Sequence, residues 1–71
     1  MEIELKFADS KMLNALGYDE DTQTMAVRFK NGDVWHYSPV PAEAFETIRD
    51  AHSVGQAFLA IRDQYLATKQ E

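Results

Sequence analysis

The dipeptide Asn31-Gly32 constrains this chain more than any other feature, because it separates two runs, Thr24 to Lys30 and Asp33 to Ser38, in which side chains alternate in character. Alternation at period two marks a strand with one buried face. Asn-Gly favours a type I′ turn, which needs positive φ at both central positions. The reading is therefore a two-residue hairpin. Such a turn pairs Lys30 with Asp33, Phe29 with Val34, Arg28 with Trp35, Val27 with His36 and Ala26 with Tyr37. One face then carries Met25, Val27, Phe29, Val34 and His36 and is expected to be core. The other carries Ala26, Arg28, Lys30, Asp33, Trp35 and Tyr37 and is expected to be left open.

The flanking segments complete an α+β layout. Ile3, Leu5 and Phe7 alternate with Glu2, Glu4 and Lys6, as in a half-buried or edge strand. Leu13, Leu16 and Tyr18 form a weaker pattern that runs into Asp19-Glu20-Asp21, read as a strand and a solvated turn. After Pro39-Val40-Pro41, the second proline suits the first position of a helix with Phe45, Ile48 and Ala51 on one stripe, ending near His52. Ser53-Val54-Gly55-Gln56 fits a capping box. It opens a second helix with Phe58, Ile61 and Tyr65 on its stripe and Leu66 beside them, and the polar 68–71 end is expected to fray. The expectation is a single domain over residues 1–71: a small antiparallel meander of three to four strands followed by two helices packed on its Met25/Val27/Phe29 face.

Composition narrows function more than fold. The chain has 71 residues, 45% of them hydrophobic and 27% charged, an ordinary globular balance. A domain this small buries only about 60% of the surface its unfolded form exposes, which leaves little room for a deep active-site cleft. Cysteine is absent, so thiolate metal sites, disulfides and thiol nucleophiles are excluded, and a cytoplasmic location is expected. The first seven residues lack the basic stretch and apolar core of a secretory signal, and no apolar run approaches membrane-spanning length. A net charge of −5 argues against broad attraction to duplex DNA or anionic lipid, so any nucleic-acid contact must be local.

Six short patterns, taken in order, resemble the KTSC domain family. They are Leu16-Gly17-Tyr18-Asp19, Met25-x-Val27-x-Phe29-x-Asn31-Gly32, Trp35-x-Tyr37, Val40-Pro41, Ala51-x-Ser53-x-Gly55 and Ile61-Arg62, within a match that spans roughly Ser10 to Tyr65. Trp35 stands where the family favours tyrosine, and the tail after Tyr65 is less basic than in many relatives. The family's modules occur alone in bacterial and phage proteins and at the C-terminus of some lysyl-tRNA synthetases. The resemblance implies a module without an assigned activity, for which RNA binding is suggested by its attachment to a tRNA-handling enzyme.

The candidate ligand site is Arg28, Lys30, Trp35 and Tyr37. Aromatic faces stack bases while neighbouring cations meet phosphates. The same residues read equally as an Arg28–Trp35 cation–π contact within a self-association surface. A possible anion site is Ser53, Gly55 and Arg62, with Arg49 also in reach, where backbone donors at a helix start would point outward; plain capping is the simpler reading. His36 and His52 lack a third spaced ligand, so no metal is expected, and Asp19-Glu20-Asp21 lacks the glycine and distal glutamate of a calcium loop. No cofactor and no nucleophile–base–orienter set is expected. The expectation is a non-enzymatic binding module for RNA, single-stranded nucleic acid or a nucleotide, the alternative being a protein-interaction or homo-oligomerisation module, with no membrane role.

Overall fold

The computed structural model describes residues 3–8 and 10–70. Its strands β1 (Lys6–Phe7), β2 (Leu13–Asp19), β3 (Thr24–Phe29), β4 (Val34–Ser38) and β5 (Leu66–Gln70) form one antiparallel sheet in chain order. The helices α1 (Ala42–Arg49) and α2 (Val54–Ile61) and a short 3₁₀ turn (Arg62–Gln64) lie between β4 and β5. No helix among the described residues is long and apolar enough to cross a membrane.

The α+β expectation holds, but the sheet has five strands where three to four were expected. The extra one is β5. Leu66 leaves the helical stripe and joins the residues expected to fray, and they pair with β4 from Ser38↔Leu66 to Val34↔Gln70. Its side chains lie mostly exposed, so it carries no hydrophobic alternation to read; backbone pairing holds it, with an ion pair of Lys69 Nζ to Asp33 Oδ2 at 3.8 Å. Residues 1–2 of the expected first strand and residue 71 of the expected frayed end lie outside the described residues. The first helix also stops at Arg49, before His52.

The hairpin turn differs from the expected one by a single residue, and the difference reverses β4. Phe29 N donates to Asp33 O at 2.9 Å and Gly32 N donates to Phe29 O at 2.9 Å, which makes a three-residue loop of Lys30, Asn31 and Gly32. Gly32 takes positive φ (95°) and Asn31 does not, as in a type I turn closed by a left-handed glycine and a bulge. Asn31 instead uses its side chain, accepting from Asp33 N at 2.9 Å. The register becomes Arg28↔Val34, Val27↔Trp35, Ala26↔His36 and Met25↔Tyr37. A one-residue slip sends every side chain of the later strand to the other face. Trp35 and Tyr37 therefore join Met25 and Val27 toward the helices, and Val34 and His36 take the opposite face. The expected core placement of Val34 and His36 is corrected, as is the outward placement of Trp35 and Tyr37.

A bulge explains why β2 has a weak pattern. Leu13 pairs with Phe29 and Ala15 with Arg28, so Asn14 is the extra residue. That insertion lets Leu13 and Leu16, an odd number of residues apart, both reach the helix-side core. Asn14 Oδ1 accepts from Arg28 Nη2 at 3.2 Å, and Met12 O accepts from Lys30 N at 3.2 Å.

The core lies between the sheet and the helices, with Leu13, Met25, Val27, Val40, Ile48 and Phe58 fully buried. Phe58 is its centre, meeting Tyr37 at 5.2 Å and Phe29 at 5.7 Å between ring centroids, edge to face in both cases. Of the capping box expected at α2, the structure shows the serine half, in which Ser53 Oγ accepts from Gln56 N at 3.4 Å. On the other face of the sheet, the N-terminal segment crosses Gly17. A Cβ there would collide with the Glu4 backbone oxygen and stand 2.9 Å from Ile3 Cγ2, so only glycine admits the crossing.

Candidate functional site

The register divides the expected platform. Arg28 belongs to the helix-free side and Lys30 to the hairpin loop, whereas Trp35 is half-buried against the core and Tyr37 is only 6% exposed. Their four side chains do not share a surface. Burial raises the Tyr37 phenol above its ordinary value, with Arg62 opposing and Asp63 adding to the shift.

The second expected group is also separated. Ser53 caps the start of α2 and Arg62 caps its end, where it faces Asp63 at 3.8 Å. A Cβ on Gly55 would lie 3.0 Å from Ser10 Oγ and 3.7 Å from Met12 Cβ. The space above Gly55 is filled by the 10–12 segment, so this glycine serves close packing of α2 and presents no open cradle.

The structure instead opens a cleft of about 700 Å³ between the N-terminal segment and the helix pair. Such a volume suits a small ligand. Leu16 and Tyr18 of β2 form its floor. Lys6, opposite Leu16 in the β1–β2 pair, and Glu4 form one wall; Phe45 and Arg49 of α1, with His52 in the following loop, form the other.

Local geometry makes this cleft aromatic and charged. Tyr18 and Phe45 stack at 4.9 Å with 13° between their planes, and the Tyr18 hydroxyl donates to Val40 O, which locks the ring. One helical turn after Phe45, the Arg49 guanidinium lies 5.9 Å from the Phe45 ring centroid. Arg49 also grips Asp50 through two 2.9 Å bonds, Nε to Oδ1 and Nη2 to Oδ2. That hydrogen bonding holds the Asp50 carboxyl below its ordinary range and raises the guanidinium. Burial, then Glu20, Asp19 and Glu46, raise the Tyr18 phenol. Glu4 and Tyr18 also border a smaller hollow lined by Asp19, Glu20 and Asp21, so the cleft has an acidic neighbour at its Glu4 end.

Sequence reasoning did not single out Glu4, Lys6, Tyr18 and Phe45 as a site. It named Arg49 only as an accessory and weighed His52 only as a metal ligand. A usable signal was nonetheless present: the 16–19 and 51–55 patterns that carry the family resemblance both supply cleft residues, Leu16, Gly17 and Tyr18 from one and Ala51 from the other. His36 and His52 do not meet a third ligand; no group of three or more metal-ligating side chains occurs among the described residues.

A five-stranded antiparallel meander with a helix pair laid across one face, and a small aromatic cleft at the pair's open side, defines a compact α+β sheet domain. The chain belongs to the KTSC domain family, whose pattern matches residues 9–65. It is similar to the KTSC domain protein of Yersinia pestis known from a crystal structure, at 25% identity and a TM-score of 0.90, covering 99% of this chain and 100% of that one. An uncharacterized protein of Stutzerimonas stutzeri (strain A1501) is 37% identical over 49 residues, 69% of each chain. A protein of Tsukamurella paurometabola is 38% identical over 48 residues, 68% of this chain and 72% of that one.

Proposed function

We propose that this KTSC domain is a binding module rather than an enzyme, and that it takes one nucleotide unit, free or within single-stranded RNA, in the Tyr18–Phe45 cleft. The observation that carries this reading is the gathering of Lys6, Arg49 and His52 around an aromatic pair in a chain whose net charge is −5. Aromatic walls accept a base through its π-face, and nearby cations meet its phosphate. The sheet face first expected to do this does not offer both groups together, whereas the cleft does. Few phosphates would be neutralised, so affinity should fall only shallowly with salt.

The test is an NMR titration of the protein with mixed-sequence oligoribonucleotides and with mixed mononucleotides at low salt. Resonances of Lys6, Tyr18, Phe45, Arg49 and His52 should move while the Trp35 indole N–H stays still. Shifts centred on Trp35 and Tyr37 would return the site to β3 and β4, and a flat titration would end the nucleotide reading.

A second reading is a protein-interaction or self-association surface. It is favoured by Phe7, 78% exposed on β1, and Leu66, 73% exposed on β5, apolar side chains on the two edge strands of the sheet. Light scattering across a wide concentration range separates the readings: a dimer dispersed by Phe7→Ser or Leu66→Ser supports it, and a strict monomer leaves only a foreign protein partner.

A further inference from the structure

The two edges of the sheet are unlike. Sheets protect their outer strands by shortness, bulges, proline, outward charge or a covering element. β1, at one edge, is only two residues long. β5, at the other, runs five residues and pairs with β4 without a bulge. It contains no proline, and the helix layer stops short of it: Leu66 and Thr68 on the helix-free side and Ala67 and Lys69 on the helix side are all exposed. Its one charged residue, Lys69, stands 3.8 Å from Asp33 Oδ2, drawn back toward the hairpin loop instead of guarding the rim.

An open strand edge accepts another strand through backbone hydrogen bonds, and β5 is complementary to itself. Two copies of net charge −5 repel, so they meet best where acids are sparse. β4 and β5 carry Lys69 as their one full charge, and Asp33 stands beside it. Antiparallel pairing of β5 with its own copy, centred on Thr68, sets Leu66 opposite Gln70, Ala67 opposite Lys69 and Thr68 opposite Thr68. Every residue of the strand is then paired, each lysine faces an alanine, and threonine on threonine is a favourable cross-strand pair. Opposed residues share a face, so the helices of both copies stay on one side of a continuous sheet.

We infer that β5 is the dimerisation edge of this domain, joined to β5 of a second copy about a two-fold axis at Thr68. The inference rests on the self-association reading above and adds the element, the partner and the register to it. An interface of one short strand from each copy falls below the roughly 1,200 Å² of a standard complex, so the dimer is weak and exchanges with monomer. The Tyr18–Phe45 cleft lies beside β1 at the opposite edge, so dimerisation leaves it open.

The experiment is sedimentation equilibrium of the full chain from micromolar to millimolar concentration, with hydrogen exchange read at the β5 amides. A monomer–dimer equilibrium should appear, strengthen with added salt as the repulsion between acidic bodies is screened, and slow exchange within residues 66–70 as concentration rises. Thr68→Lys and Thr68→Glu alter an exposed position and should each weaken the dimer about fivefold, because like charges then oppose one another across the axis. An equimolar mixture of the two should restore association to the original strength or better, which misfolded variants would not do. Phe7→Ser, on the other edge, should change nothing. A dimer dispersed by Phe7→Ser but indifferent to the Thr68 variants, or a mixture no tighter than either variant alone, would overturn the β5 assignment and leave self-association standing. A strict monomer at millimolar concentration would overturn both and leave the edge to a foreign strand.

Discussion

Tyr37 and Phe58 meet edge to face, with ring centroids 5.2 Å apart and 84° between their planes. The contact joins β4 to α2 and exists only because β4 turns its Tyr37 side toward the helices. Phe58 is fully buried, so Phe58→Ala should cost about 3 to 5 kcal/mol and leave this small domain unfolded or nearly so. Tyr37→Phe keeps the ring contact and should stay folded; urea denaturation of the two variants checks the contrast.

Trp35 provides the sharper test of register. Paired with Val27 and packed against the core, its truncation to alanine should remove about 2 kcal/mol of stability, the scale of burying one large apolar side chain. The expected two-residue turn would have left Trp35→Ala nearly neutral. An unchanged urea midpoint for Trp35→Ala would contradict the three-residue loop.

Gly17 and Gly55 are packing glycines on opposite sides of the domain. Gly17→Ala forces a backbone collision with Glu4 and should cost about 1 to 3 kcal/mol while lifting the N-terminal segment off the sheet. Hydrogen exchange at the Leu5 and Lys6 amides should rise with it.

Gly55→Ala meets Ser10 Oγ at 3.0 Å, an atom already held by Met12 N at 3.2 Å and Leu13 N at 3.3 Å. The gain in helix propensity of up to about 1 kcal/mol should be outweighed in the single variant. In a Ser10→Ala background the obstructing oxygen is gone, so the same substitution should become neutral or stabilising. A double-mutant cycle reads the coupling.

Two groups give stability opposite pH slopes. Burial lowers the His36 imidazole below 6.5, so near that pH the unfolded chain binds more protons than the folded one. Stability is then present above the ordinary histidine range and declines as the pH falls through it. Tyr18 is raised above 10.0, chiefly by burial, so the folded chain keeps the phenolic proton longer, and stability is present below about pH 10 and lost as the pH rises further. Urea midpoints measured against pH should show both declines. His36→Gln should flatten the acid side, and Tyr18→Phe should lessen the alkaline decline to the part that the raised Tyr37 phenol contributes.

The cores of β2 and β3, the helix-side face of β3, the start of α1 after Pro41 and the Ser53 cap were legible because each is local: alternation, a fixed proline φ and a side-chain hydrogen bond three residues long. The β5 pairing was not, because Leu66–Gln70 is held to β4 by backbone hydrogen bonds that leave no mark on side-chain pattern. The cleft was legible only in fragments, since Lys6, Tyr18, Phe45 and His52 are scattered over the chain and become neighbours only when the helices fold back across the sheet.

By itself the sequence determined that strands precede two amphipathic helices, that a reversal occurs at Asn31-Gly32, and that Met25 and Val27 are core. Tertiary structure decided on which side Trp35 lies. Asn-Gly is compatible with either loop length, and the longer one brings Trp35 and Tyr37 under the helices, where Phe58 receives Tyr37. A turn is chosen by local backbone preference, whereas the face of the strand that follows is chosen by the apolar surface it buries.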